Sequence, residues 1–211
     1  MKADILTRVR ANAPDTRPHP GTASARSLAA DAISRFTASA QLSYSKVVTL
    51  AGGESIVDVL RVIHPEARRL ATCLPASVQL SLKLAGDSEW SNALTPDKAT
   101  SIADLAAVQV AVLAASFVVV ENGACWIPES AMGHRALPYS CEHLVVVVPK
   151  PTETSATVVE TMHEAYARIP ETERSSFGCF IAGPSKTADI EQSLVIGAQG
   201  PRSLAIVFYE T

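Results

Sequence analysis

No two of the four cysteines, Cys73, Cys125, Cys141 and Cys179, stand at Cys-x-x-Cys spacing, and none has a histidine beside it at ligand distance. Zinc sites and iron-sulfur clusters need such clustered thiolates and imidazoles. Neither is therefore expected in this chain, and the cysteines read as reduced, buried thiols of a cytoplasmic protein. The histidines are dispersed too; the closest two, His134 and His143, lie nine positions apart, which has no metal-site logic. Basic clusters are missing as well: 18 Lys and Arg are scattered among 21 Asp and Glu for a formal charge of -3. That balance excludes the electrostatic footprint of a nucleic-acid binder. The longest nearly apolar run, Leu105 to Val120, is broken by Gln109 and Ser116 and falls short of the roughly 20 residues that cross a bilayer, so no membrane span is expected. The opening "MKADILTRVRANAPDTRPHP" interleaves charge with its apolar residues and offers no secretory core. No repeat of solenoid length and no internal linker is visible.

What is present is a hydrophobic fraction of 47% in 211 residues, enough for one well-filled domain. The reading is a helical N-terminal segment, residues 1–44, packed on an α/β domain, residues 45–211. In the first part, Ile5, Leu6 and Val9 share one helical face, and Leu28, Ala29, Ala32, Ile33, Phe36 and Ala40 another. Between them "APDTRPHPGTAS" is a loop. From Lys46 onward strands and helices alternate: "KVVTLAGG" is a strand, "ESIVDVLRVI" a helix stopped by Pro65, and "RRLATCL" a strand. Phe117–Glu121 and Ala124–Ile127 flank Asn122-Gly123, which predicts a hairpin with a two-residue type I′ turn. "HLVVVVP" is a buried strand, and "TSATVVETMHEAYARI" predicts a helix with Val158, Met162, Ala165 and Ile169 inward. "FGCFIAG" and "LAIVFY" close the series. This alternation with one hairpin predicts an α/β fold of three layers, α/β/α, around a mixed, mainly parallel sheet.

The segment between those last two strands, "GPSKTADIEQSLVIGAQGPR", is the most informative. It lacks the glycines of a phosphate-binding P-loop, with Phe180 and Ser185 at those places. It predicts a Gly-Pro turn at Gly183 and then a helix capped by Thr187 or Asp189, with Glu191 in its first turn and Gly197 at its end. Capping and turning alone would account for every residue. The functional alternative is that the loop leaves the carboxyl end of a strand, where α/β sheets bind ligands. Ser185, Lys186 and Thr187 would then offer two hydroxyls and a cation to a small anion. Two further candidates interrupt apolar context: Glu121, with Asn122 and Gly123 at the hairpin, and His134-Arg135 in the loop before "HLVVVVP". Glu121 is either a general base or ligand contact or a solvated turn residue. Arg135 would hold a carboxylate ligand or pair with an internal acid. On this reading the Gly183–Thr187 loop lines the main cleft, with Glu121 and Arg135 on neighbouring walls.

Taken together, "GPSKTADIEQSLVIGAQGPR", "VVVENGACWI" and "HRALPYSCEHLVVVVP" resemble the lactate-utilisation (LUD) domain family, in particular the stand-alone type called lactate utilisation protein C (LutC/YkgG). The resemblance is close over residues 108–211 and rests most on Gly183–Glu191, Gly200-Pro201, Glu121 and Gly123. It implies a fold similar to the ribose-phosphate isomerase, glucosamine-phosphate isomerase and CoA-transferase group. It also implies a cytoplasmic part in oxidising L-lactate to pyruvate, beside a cysteine-rich subunit and a subunit carrying iron-sulfur clusters. The redox centres would then lie on the partners, with no cofactor in this chain. Two departures stand out: Gln199 occupies a position where many members carry histidine, and "AVLAAS", residues 111–116, replaces a more polar segment. Two other readings stay open: a stand-alone isomerase- or transferase-like enzyme on a phosphorylated or carboxylate substrate, and a regulatory anion-binding module.

Overall fold

The computed structural model describes residues 2–13, 31–84, 87–88, 90, 92–152, 157–174, 176–188 and 193–210. Its elements, in chain order, are α1 (Lys2–Ala11), α2 (Ala32–Leu42), β1 (Ser45–Thr49), α3 (Ile56–Ile63), β2 (Leu70–Thr72), α4 (Ala76–Ser81), α5 (Ile102–Ala106), β3 (Val110–Ala114), β4 (Phe117–Val119) and β5 (Ala124–Pro128). There follow α6 (Leu137–Ser140), β6 (His143–Pro149), β7 (Val158–Val159), α7 (Met162–Arg168), α8 (Glu171–Arg174), β8 (Gly178–Ile181), β9 (Lys186–Thr187), β10 (Val195–Ile196) and β11 (Ser203–Tyr209). Among the described residues no helix is long and apolar enough to cross a membrane.

The centre is a parallel sheet in the order β1-β11-β6-β3-β2. Its middle strands are continuous apolar runs because both of their faces are covered. Alternate residues divide cleanly between two cores. Val145, Val147, Ala205 and Val207 face Ile56, Val57 and Leu60 of α3. Leu144, Val146, Ile206 and Phe208 face Phe36 of α2, Leu105 of α5 and Leu137 of α6. The segment "AVLAAS" is mostly β3 itself, whose Ala111, Val112 and Leu113 are fully buried. Burial on both faces explains why that stretch is apolar.

The mainly parallel, mixed arrangement expected from the sequence is present, but it is split between sheets. A second sheet, ordered β7-β4-β5-β8, holds the antiparallel pairs β4-β5 and β5-β8. Its inner residues Val118, Cys125, Ile127 and Val158 join the Phe36 core. Its outer face carries Phe117, Val119 and Trp126 against Ala165 and Ile169 around α7. The helix expected over residues 154–169 is therefore shorter. Val158 and Val159 pair in parallel with Val118 and Val119, and the helix begins only at Met162, capped by Thr161. Two β-branched residues beside an open strand edge prefer the pleat to a helix.

Helix α2 is tied into this body, whereas Asp4 to Ala13 are exposed throughout. Phe36 is completely buried and meets the Phe208 ring edge-on at 5.7 Å. Arg35 grips Glu160, a carboxylate only 7% exposed, with both terminal nitrogens, and reaches Asp31 with Nε. Leu28 and Ala29, read as part of this helix, lie outside the described residues.

Where α3 ends, the His64 ring stacks on His143 at the start of β6, with centroids 4.1 Å apart. His143 Nδ1 is 2.8 Å from Ser203 Oγ, and His64 Nε2 finds no hydrogen-bond partner among the described residues. Burial, His143 and the nearby Lys46 lower His64 to about 4 from 6.5, against an opposing pull from Glu142. Burial and Arg202 also lower His143, again opposed by Glu142. A base with a lowered folded pKa takes up its proton more readily when unfolded, so stability falls as pH drops. Urea melts should show this loss developing between about pH 6.5 and 4, before most carboxylates titrate. His64→Phe, which keeps a stacked ring, should flatten that part of the profile; an unchanged slope would show that the stack does not titrate there.

Candidate functional site

Two Gly-Pro turns face each other across a cleft of about 270 Å³. One wall is Phe180 to Ser185, where the chain leaves β8; the other is Gln199, Gly200 and Pro201 before β11; Tyr139 of α6 and Leu144 and Leu204 complete it. The walls are joined at their base. The Ser185 backbone N–H donates to the Pro201 carbonyl at 2.9 Å, and that of Gly197 to the Ser185 carbonyl at 2.8 Å.

The helix expected to begin at Thr187 is not what the chain forms there. Lys186 and Thr187 pair antiparallel with Ile196 and Val195, making a short ribbon of β9 and β10. Thr187 is thus a strand residue rather than an N-cap, and Asp189 and Glu191 lie outside the described residues. Thr187, Val195 and Ile196 are β-branched, which suits a pleated pair. Gly197 does adopt the positive φ expected of it, +78°, as the exit of the ribbon and not as a helix cap.

Gly183 and Lys186 anchor this loop to the end of α2. Gly183 has φ +82°, and a Cβ there would sit 1.9 Å from the Ser43 carbonyl oxygen. Lys186 Nζ donates to that same carbonyl at 3.1 Å and to the Ala182 carbonyl at 3.4 Å. It also lies 5.7 Å from the ring centroid of Tyr44, whose own φ is +66°. A cation at the carbonyl end of a helix is held by the macrodipole, so Lys186 is occupied as a strap.

Asn122 and Gly123 meet the same helix end from another side. Ser43 Oγ donates to the Asn122 carbonyl at 3.3 Å, and a Cβ on Gly123 would lie 2.6 Å from Ala40 Cα. The hairpin they close is present, but its turn has four residues, since Val119 pairs with Ala124. Gly123 alone has positive φ, +70°. Asn122 instead accepts from the Ala124 N–H through Oδ1 at 3.1 Å, an Asx turn that replaces the type I′ geometry.

Glu121 and Arg135 are not on the cleft walls. Glu121 Oε2 accepts from the Met162 N–H at 2.7 Å, fixing the start of α7. Arg135 Nε donates to Glu129 at 2.8 Å and its guanidinium lies 5.1 Å from the Phe177 ring centroid; of its two readings, the internal pair is the one formed. Arg135, with Ser176, pulls the Glu129 carboxyl down to about 2. His134 Nδ1 accepts from the Ala136 N–H at 3.1 Å within its own turn.

The cleft's described lining therefore carries no ionised side chain: its polar groups are the hydroxyls of Tyr139 and Ser185 and the amide of Gln199. Burial and a hydrogen bond with Cys179, which lies outside the cleft lining, hold the Tyr139 phenol above its ordinary range. Among the described residues no three His, Cys, Asp or Glu side chains are grouped to hold a metal. The cleft adjoins the carboxyl end of β8 but the amino ends of β6 and β11. The usual α/β crevice lies at carboxyl ends, so the expectation holds for the second sheet and fails for the parallel one. Tyr139 had no signal in the sequence; the opposing wall had one, the second Gly-Pro dipeptide.

Comparison with known proteins agrees with this architecture. A crystal structure of a DUF162 family protein from Deinococcus radiodurans superposes with a TM-score of 0.59 at 16% identity, over 85% of this chain and 96% of that one. At that identity the likeness speaks for the fold alone. None of the curated proteins matches the sequence. The family model described as LUD domain matches residues 85–209, a stretch that contains both Gly-Pro walls and every other residue of the cleft. Because that match takes in more than half of the sequence, the chain belongs to the LUD domain family.

Proposed function

We propose that this protein is a non-redox subunit or accessory protein of a cytoplasmic system that oxidises L-lactate to pyruvate, working with a cysteine-rich subunit and one that carries the iron-sulfur clusters. Family membership supplies the setting, and the observation that carries the role is the chemistry of the cleft. The described walls offer hydroxyls, an amide and apolar surface and no cation, which suits a neutral loop of a partner subunit better than a free carboxylate anion. A phosphorylated substrate is less well served, because Lys186, the cation of the motif, is held on the Ser43 carbonyl.

The test is co-purification. Tagged protein drawn from its native host during growth on L-lactate should bring down a cysteine-rich protein and an iron-sulfur protein in comparable amounts, with iron measurable in the eluate. Elution of the chain alone, free of iron protein, would refute the subunit role.

A further inference from the structure

A larger cavity, about 390 Å³, lies away from the cleft, between the edge strand β1 and α3. Its floor is Val48, Val59, Val62 and Ile63, and its polar rim is Lys46, Glu54 and Asp58. Val62 is 78% exposed, so the apolar floor runs out onto open surface. None of it falls within the span matched by the family model.

Helix α1 is a fitting counterpart. Ile5, Leu6 and Val9 form one apolar face and are 57, 47 and 63% exposed. The helix has three bases, Lys2, Arg8 and Arg10, against one acid, Asp4, opposite in sign to a rim of two acids and one base. Its 10 residues are fewer than the roughly 12 to 15 an isolated helix needs to persist in water. A surface that receives its apolar face is therefore required for it to be stable. The chain's own groove does not supply one, since no α1 residue lines it and Asp4 to Ala13 are all exposed.

We infer that α1 is a docking arm that seats in the β1–α3 groove of a second copy of this chain, the two copies exchanging arms across a two-fold axis. Reciprocal exchange covers both apolar surfaces at once and closes the assembly at two chains. Ile5, Leu6 and Val9 lie on the valine floor, Arg10 reaches Glu54, and Arg8 and Asp58 exchange their exposed partners within the chain, Asp4 at 3.4 Å and Arg61 at 3.7 Å, for each other.

Sedimentation equilibrium of the full chain from about 5 to 200 µM tests this. The full chain should be a dimer whose melting temperature rises with protein concentration, and removal of residues 1–13 should give a folded monomer whose melting temperature does not. Val62→Asp, at an exposed position, should weaken dimerisation at least tenfold while leaving the circular-dichroism spectrum unchanged. A full chain that stays monomeric throughout, as it would if α1 folded back on its own groove or awaited a different protein, overturns the inference. So does a dimer that survives the truncation, or one indifferent to Val62→Asp.

Discussion

Gly183→Val is expected to destabilise the protein by about 2 to 6 kcal/mol, the sum of backbone strain at positive φ and forced overpacking. Both terms are present at this position: φ is +82°, and the new Cβ would lie 1.9 Å from the Ser43 carbonyl oxygen. The loop could relieve the clash only by leaving α2, which would also detach Lys186 from the same carbonyl and open the wall of the cleft. The melting temperature should fall by about 4 to 24 °C for a chain of this size. Lys186→Ala, which removes the strap without the clash, should cost far less. Equal stability of Gly183→Val and the parent would mean that the loop does not rest on α2 as described.

The family match begins at residue 85, yet a fragment of residues 85–211 is expected not to fold cooperatively. It would lack α2 and both edge strands of the parallel sheet, β1 and β2. That would uncover β11, which otherwise pairs with β1 along Leu204 to Phe208, and would bare Phe208 where Phe36 packs on it. Glu160 would lose Arg35, leaving a buried carboxylate without its partner. The single-residue counterpart is Phe36→Ala, which should cost about 3 to 5 kcal/mol as a fully buried aromatic truncated to a methyl. Circular dichroism and heteronuclear NMR of the fragment decide the matter. A dispersed spectrum with a sharp thermal transition would show the first 84 residues to be dispensable.

The parallel core was legible because β3, β6 and β11 must bury both faces, and continuous valine-rich runs have few other uses. The second sheet was harder. Val158 suits the inner face of a helix as well as it suits a strand, and only the open edge of β4, forty residues earlier in the chain, decides between them. The ribbon of β9 and β10 misled for a related reason: Thr187, Asp189 and Gly197 are good helix-boundary residues, but Lys186 and Thr187 are claimed by Ile196 and Val195. The cleft was half visible, through its two Gly-Pro turns. Tyr139 was not, nor was the use of Glu121 to hold the Met162 N–H, since neither contact leaves a spacing in the sequence. For Arg135 the sequence leaves a ligand carboxylate and an internal acid both open, and the acid it pairs with, Glu129, lies only six positions away.

The most direct test of the central claim, that the Gly-Pro cleft serves lactate oxidation, is growth of a gene-deletion strain on L-lactate as sole carbon source. Complementation should use the parent gene and a Gln199→Trp variant. Gln199 is an exposed wall residue, so the indole should fill the cleft without disturbing the core. The account predicts that the parent restores growth on L-lactate, that the variant accumulates as folded protein yet does not, and that both strains grow alike on pyruvate. Full growth of the variant on L-lactate would contradict it.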